Sequence, residues 1–460
     1  MYHIDFNKPV HVHFIGIGGI SMSGLAEILL ERGFEISGSD MKRSALTDRL
    51  ADKGVRIGIG QSADNIRVGI DLIVYTAAIS KDNPEFAAAV KSGIPMLTRA
   101  ELLGEIMSNY KVAIGVAGTH GKTTTTSMLT EIMVGAGLDP TVTVGGILPS
   151  INGNLRIGGS GNFITEACEY TNSFLSFLPT VGVILNVQED HLDFFKDIDD
   201  IRNSFRLYAN LLPENGLLVI NGDIDNYEYI SSEAKCPVIT VGSTKNSDYY
   251  ADDICYNRTG CCSYTPVCKG ISGERIELGV PGIHNVYNSL AAIAVADWLG
   301  CERDVASRAL KNFGGTERRF QKKGTVRGIT VIDDYAHHPT EINATLDSAA
   351  NYPHRKIVCV FQPHTYTRTA AFLKDFASSL SRADTVILAD IYAARERNTI
   401  GISSQALKEE IDRLGTECIY EPDFEKIQQK IIDICGEGDL VITMGAGNIV
   451  EVGEALLKNN

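Results

Sequence analysis

Short apolar runs and helical stripes alternate along most of the chain. Val112 to Val116 is a short, partly β-branched run that predicts a buried strand. Leu129, Ile132, Met133 and Ala136 then recur at helical spacing, so a helix begins near Lys122. The chain opens with the same pair: a strand from Val10, then a helix marked by Met22, Leu25, Ala26 and Leu29, then a strand ending at Ser39-Asp40. Further apolar runs predict strands at 71–76, 162–165, 181–185, 331–332, 356–361, 385–389 and 440–444, and residues 289–297 predict a helix. Between 236 and 280 the pattern gives way to short strands and turns with many small residues. Strands alternating with helices predict an α/β protein with mostly parallel sheets. At 460 residues the chain exceeds one core. Three domains are expected: a Rossmann-like one over 1–110, a P-loop one over 111–315, and a second Rossmann-like one over 316–460.

Composition narrows the classes. Hydrophobic and charged fractions of 44% and 22% are those of an ordinary globular protein. No apolar run reaches membrane-spanning length, and the first residues lack the basic-then-apolar layout of a signal peptide, so a cytoplasmic protein without membrane insertion is expected. A formal net charge of −15 argues against nucleic acid as a partner, which needs a basic footprint. Ten cysteines over this length make no disulfide scaffold. Cys255, Cys261, Cys262 and Cys268 include no C-x-x-C pair, so they are expected as small strand residues rather than a zinc site.

The chemistry concentrates where strands end. Gly118-Thr119-His120-Gly121-Lys122-Thr123-Thr124 lies between the strand at 112 and the helix that follows. Strand, glycine loop and helix N-terminus make a phosphate cradle: backbone N–H groups hold the polyphosphate, Lys122 reaches the outer phosphates, and the Thr123 hydroxyl meets Mg²⁺. The Walker spacing is off by one, with Val116 where a glycine is expected and Gly115 one place early. Gly16-x-Gly18-Gly19-Ile20-Ser21, with Asp40 further on, is a dinucleotide-type loop whose third glycine is replaced by Ser21. Glu166 and His191 follow two further strands, where Mg²⁺ and phosphates from the cradle would lie. His284, Asn285 and Asn288 open a helix, either as caps or as amide edges offered to a base. Arg319 and Arg368 are planar two-point donors, and His337 is an imidazole able to take or give a proton.

These segments together resemble the Mur ligases of peptidoglycan synthesis, essentially end to end. Its carriers are Gly16–Gly24, Gly118–Thr124, Glu166-Ala-Cys-Glu-Tyr170, Asn186 with Asp190-His191, Gly282–Asn288, Arg318-Arg-Phe320, Asp333–Glu341 and Gln362–Arg368. Asp333-Asp-Tyr-Ala-His-His-Pro-Thr-Glu341 and Pro363-His-x-Tyr-x-Arg368 point to the branch that adds L-alanine, or to its recycling relative, which adds a preformed peptide. The resemblance implies ATP and Mg²⁺ as cofactors, UDP-N-acetylmuramate and L-alanine as substrates, and an acyl-phosphate intermediate. It implies catalytic roles for Lys122, Glu166, His191, His337 and Arg368, with metal ligation by Thr123, Glu166 and His191. ATP would be held by 118–124 with His284, Asn285, Asn288 and Arg319. The UDP-sugar would be held by Gly16, Gly18, Gly19, Ile20, Ser21, Asp40, Thr76 and Ala77. A monomer or weak homodimer is expected. Departures are Cys168 where many relatives are acidic, Thr365 where arginine is common, and Phe205-Arg206 where sister ligases carry a carbamylated lysine.

Two readings from other classes compete. A nicotinamide dehydrogenase would use Gly16-x-Gly18 and Asp40 but leaves Lys122, Glu166 and His191 without a purpose. A nucleotide-gated binding protein without turnover would have no need of those three residues.

Overall fold

The computed structural model describes residues 2–76 and 79–458, and contains three sheets. The first holds β1 (His11–Ile15), β2 (Glu35–Asp40), β3 (Arg56–Ile59), β4 (Leu72–Tyr75) and β5 (Met96–Thr98) in the order β3-β2-β1-β4-β5, with every pairing parallel. The order reverses between β1 and β4, which opens a crevice at their carboxyl ends. Gly16 and Thr76 meet there: a Cβ on Gly16, whose φ is +85°, would lie 2.8 Å from the Thr76 methyl.

The central sheet is built from β6 (Val112–Ala117), β7 (Thr141–Leu148), β8 (Gly153–Arg156), β9 (Asn162–Ala167), β10 (Val181–Ile184), β11 (Leu217–Asn221), β12 (Val238–Gly242), β13 (Tyr249–Tyr256), β14 (Cys261–Cys268), β15 (Ile271–Ser272) and β16 (Ile276–Pro281). Its order is β15-β14-β13-β12-β11-β10-β6-β9-β7-β8, with β16 paired to β14. The strand feeding the glycine loop, β6, lies between β9 and β10 and is parallel to both. Gly115, the early glycine, serves packing: its carbonyl accepts from the Tyr208 hydroxyl at 2.9 Å, and a Cβ there would lie 2.2 Å from that oxygen. Cys255, Cys261, Cys262 and Cys268 fall on the antiparallel strands β13 and β14 as free thiols. The third sheet contains β17 (Gln321–Val326), β18 (Ile329–Asp334), β19 (Ile357–Phe361), β20 (Thr385–Leu388), β21 (Glu417–Tyr420) and β22 (Leu440–Met444), ordered β17-β18-β22-β19-β20-β21, with only β17 antiparallel.

Three boundaries differ from the sequence reading. β9 runs on to Ala167, because Val116 and Ala117 pair with Glu166 and Ala167; Glu166 is therefore a strand residue rather than a loop residue. β18 includes Asp333 and Asp334, both buried, since Arg318 and Thr443 satisfy the first and backbone N–H groups of Phe320 and Ala336 the second. The helix expected from 289 starts at His284, so His284, Asn285 and Asn288 occupy its first turns instead of capping it.

The first two sheets share one apolar core. Leu102, Leu103 and Ile106 of the helix Arg99–Met107 belong to the same buried cluster as Phe163, Phe174 and Phe205. Gly104 of that helix lets it approach: a Cβ there would lie 2.0 Å from the Ser176 carbonyl oxygen. Among the described residues no helix is long and apolar enough to cross a membrane.

Candidate functional site

The glycine loop turns on Gly118 (φ +140°) and Gly121 (φ +83°), backbone angles that side chains resist, and delivers Lys122 to the first turn of the helix Lys122–Gly135. Lys122 Nζ donates to the carbonyls of Gly118 and Thr119, the latter at 3.1 Å, and to Glu169 Oε2 at 3.0 Å. Burial presses the lysine pKa down, but Glu169, with Cys168 and Glu166, outweighs this and holds it above the ordinary value. Lys122 is thus a fully charged ammonium at a helix N-terminus, where a phosphate would sit.

Thr123 and Glu166 stand beside consecutive residues of β7. A Cβ on Gly145 would meet Glu166 Oε1 at 2.9 Å, and one on Gly146 would meet the Thr123 methyl at 3.3 Å. His191 sits at φ +52° after β10, stacked on Tyr170 at 4.4 Å, and burial lowers its pKa against the pull of Asp190 and Glu169. The Thr123 hydroxyl and the Glu166 carboxylate suit a hard divalent cation that takes its remaining oxygens from phosphate and water, and His191 could add a nitrogen. Among the described residues no three His, Cys, Asp or Glu form a metal cluster.

A cleft of about 940 Å³ opens beside the loop, lined by His120, Gly121, Thr124, His284, Asn285, Asn288 and Arg319 among others. It unites seven of the predicted nucleotide residues. Asn288 Oδ1 lies where a Cβ on Gly121 would be 2.8 Å away, while its Nδ2 donates to Asn285 Oδ1 at 3.0 Å. Asn285 Nδ2 donates to the Pro281 carbonyl at 2.7 Å. Burial holds His284 at about 4, so its ring is neutral. Two buried polar atoms on lining residues lack a partner among the described residues: His120 Nε2 and Gln188 Oε1.

The third domain reaches this loop through Glu341, a residue the sequence reading left without a role. Glu341 Oε1 faces His120 Nδ1 at 3.1 Å, its Oε2 accepts the His337 N–H at 3.0 Å, and Arg319 lies 4.0 Å away. Burial alone would raise its pKa, but His337, His120 and Arg319 pull it well below the usual carboxylate range. The spacing His337-x-x-x-Glu341 across a proline-started helix was the available signal. His337 Nδ1 donates to the Tyr335 carbonyl at 2.9 Å, which leaves Nε2 with its lone pair; burial holds this ring at about 4.

Arg368 already has partners within the chain: its Nη2 donates to Asp190 Oδ1 at 2.8 Å, and Nη1 faces His364 Nδ1 at 3.3 Å. The pairing is nearly buried and joins the third domain to the loop that carries His191. Arg368 and His191 line a second cleft of about 1220 Å³. The sequence reading also left Glu169 unassigned, because Lys122 and Glu169 are 47 positions apart and meet only through the β6–β9 pairing.

In the first domain, Asp40 Oδ2 accepts the Gly18 N–H at 2.8 Å, so this carboxylate braces the glycine loop itself. Gly19 precedes the helix Ile20–Glu31, Ile20 is 67% exposed, and Ser21 Oγ accepts from Arg99 Nη1 at 3.1 Å. Ala77 lies outside the described residues.

A strand, glycine loop and helix that present a charged lysine, with a third sheet docked on the loop, define a P-loop-type α/β protein. The chain belongs to the Mur ligase family. Profiles described as Mur ligase family, catalytic domain; Mur ligase middle domain; and Mur ligase, glutamate ligase domain match residues 11–111, 116–296 and 318–447. The chain is 61% identical to a UDP-N-acetylmuramate–L-alanine ligase of Lachnospira eligens and 59% identical to one of Agathobacter rectalis, over the whole of each protein. Among solved structures, a UDP-N-acetylmuramate–alanine ligase of Thermotoga maritima matches with TM-score 0.81 at 29% identity, covering 98% of this chain and 99% of its own. A murein peptide ligase of Psychrobacter arcticus matches with TM-score 0.70 at 25% identity, covering 98% of each chain.

Proposed function

We propose that the chain is an ATP-dependent ligase that joins L-alanine to the lactyl carboxylate of UDP-N-acetylmuramate. The observation that carries this reading is full-length kinship, at 61% and 59% identity, with proteins named for that reaction. In the proposed sequence a lactyl carboxylate oxygen attacks the γ-phosphorus of ATP, ADP departs, and an acyl phosphate forms. The alanine nitrogen then attacks the acyl carbon, phosphate leaves, and the amine loses a proton.

Phosphoryl transfer is mostly positioning and neutralisation of charge. Lys122 supplies a fixed positive charge, and the N–H groups after Gly118 cradle the phosphates. Thr123, Glu166 and His191 would hold Mg²⁺, which when bound screens charge on the transferring group. Asn285, Asn288 and Arg319 line the nucleotide cleft. His337 Nε2 is an acceptor for an amine proton, and Arg368, which lines the second cleft, would take the alanine carboxylate. The 1–110 segment would bind the UDP-sugar, 111–315 ATP and 316–460 the amino acid, in a cytoplasmic monomer or weak homodimer.

The recycling reaction with a preformed peptide is the second reading, supported by the Psychrobacter likeness but at lower identity and TM-score than the alanine ligase. An omission assay decides: phosphate release from ATP should require both UDP-N-acetylmuramate and L-alanine. Release that needs L-Ala-γ-D-Glu-meso-diaminopimelate in place of L-alanine would establish the recycling reaction instead.

A further inference from the structure

Arg99 is the first residue of the helix Arg99–Met107, and it lies in the seam between the two glycine loops. Its Nη1 donates to Ser21 Oγ at 3.1 Å, on the loop Gly16–Ser21. Cys168 lies within electrostatic reach of Arg99, and Lys122 and Glu166 lie within reach of Cys168. Arg99 therefore stands on the first-domain loop and close to the strand end that faces the phosphate cradle.

Arg99 lacks the counter-ion such a position calls for. A guanidinium has five N–H donors, and half-buried Arg99 spends one of them on a protein partner among the described residues. Among the described residues no carboxylate comes within ion-pair distance of Arg99, and its one hydrogen bond there goes to a neutral hydroxyl. The acids of its own helix are committed elsewhere. Glu101 closes a capping box on the Thr98 N–H at 2.7 Å, and Glu105 binds His3 Nδ1 at 2.7 Å and the Ile4 N–H at 3.1 Å. Burial accordingly holds the Arg99 pKa below the usual arginine value. A purely structural arginine would be expected to pair with an acid or to fan its donors over backbone carbonyls; this one does neither among the described residues.

We propose that Arg99 binds an anionic oxygen group of the UDP-sugar, holding it between the first-domain loop and Lys122. This rests on the substrate reading above. A planar fork matches two oxygens of a carboxylate or of a diphosphate, and the UDP-sugar carries both. If Arg99 takes the lactyl carboxylate, it aims the nucleophile at the phosphate cradle. If it takes the diphosphate, it fixes the distance from the uridine end to the reacting end.

The test uses the full chain with Arg99→Gln and Arg99→Lys. Binding of UDP-N-acetylmuramate and of UDP-N-acetylglucosamine, which lacks the lactyl group, is measured by calorimetry. ATP KM and the unfolding temperature are followed in parallel. Arg99→Gln should weaken UDP-N-acetylmuramate roughly tenfold or more, the size of one lost charge-assisted contact, and leave the KM for ATP within about twofold. Arg99→Lys should fall between wild type and Arg99→Gln, since it keeps the charge and loses the fork. Parallel weakening of both sugars identifies the diphosphate; weakening of the muramate alone identifies the carboxylate. Unchanged muramate affinity in both variants overturns the proposal while leaving the substrate reading intact. A wild-type chain that binds neither sugar defeats the substrate reading itself, and the proposal with it.

Discussion

Lys122 and Glu169 are a nearly buried ion pair at the centre of the site, so the lysine carries both chemistry and stability. Lys122→Met removes the charge facing the phosphates, and turnover should fall at least ~10²-fold. It also leaves Glu169 buried without its cation, which should cost about 3 kcal/mol of unfolding free energy. The double variant Lys122→Met with Glu169→Gln should recover much of that stability and none of the activity. Denaturant unfolding beside a phosphate-release assay checks both halves; a double variant as unstable as the single one would show that Glu169 does not depend on Lys122.

His338 gives a pH prediction. Its Nδ1 accepts from the Thr340 N–H at 3.3 Å, capping the helix Pro339–Ala350, and its Nε2 donates to the Glu189 carbonyl at 3.1 Å. The bond from Thr340 needs a neutral ring, because an imidazolium has no acceptor nitrogen, and burial, with His120 beside it, holds the pKa at about 4 against an ordinary 6.5. Between those values the unfolded chain binds the extra proton and the folded one does not, so stability falls as pH drops from 6.5 towards 4 and is flat above. His284, His337 and His364, also at about 4, act in the same direction; Asp334, raised by burial to about 6, opposes them. His338→Asn retains a capping acceptor but does not titrate, so its unfolding temperature should fall less steeply with acid. An unaltered slope would remove His338 from the account.

At the scale of elements, two glycines set how closely the layers approach. Gly104→Ala would drive a methyl into the Ser176 carbonyl and push the helix Arg99–Met107 off the central domain, at a cost of about 1–3 kcal/mol or more. Because that helix carries Arg99, the KM for UDP-N-acetylmuramate should rise with the loss of stability, while a Gly33→Ala control, strained only by its own backbone φ of +87° and with no atom within 4 Å of the new methyl, should lose stability but spare the KM. Equal KM values in the two variants would separate the helix position from sugar binding. Elements were also where the sequence was most legible. The β6 strand, its glycine loop and the following helix were readable from a local change of period, and β22 fell where its apolar run predicted. Glu166 was misplaced by a strand end because β9 is extended by pairing with β6, a contact that no local pattern encodes. Glu169 and the pairing of Arg368 with Asp190 were invisible for the same reason, since each depends on a partner far away in the chain or in another domain, while Glu341 showed only its spacing from His337 and not its contact with His120.

At the scale of the whole molecule, the third domain is seated on the glycine loop by charge. Glu341 meets His120 from one side, and Arg368 meets Asp190 from the other. Arg368→Lys should raise the KM for L-alanine and leave those for ATP and UDP-N-acetylmuramate nearly constant, because an ammonium cannot keep Asp190 and also offer a planar donor. Steady-state kinetics with each substrate varied in turn would show it, and a rise in the ATP KM instead would place Arg368 on the phosphates.

The central claim is that carboxylate, phosphate and amine are brought by different domains to one place and react in that order. It is tested most directly by the fate of oxygen. With UDP-N-acetylmuramate labelled with ¹⁸O in both lactyl carboxylate oxygens, attack on ATP carries one labelled oxygen into the acyl phosphate. Departure of phosphate then takes that oxygen with it. The account predicts one ¹⁸O in each inorganic phosphate released and one retained in the amide product. Unlabelled phosphate, or cleavage to AMP and pyrophosphate, would contradict it.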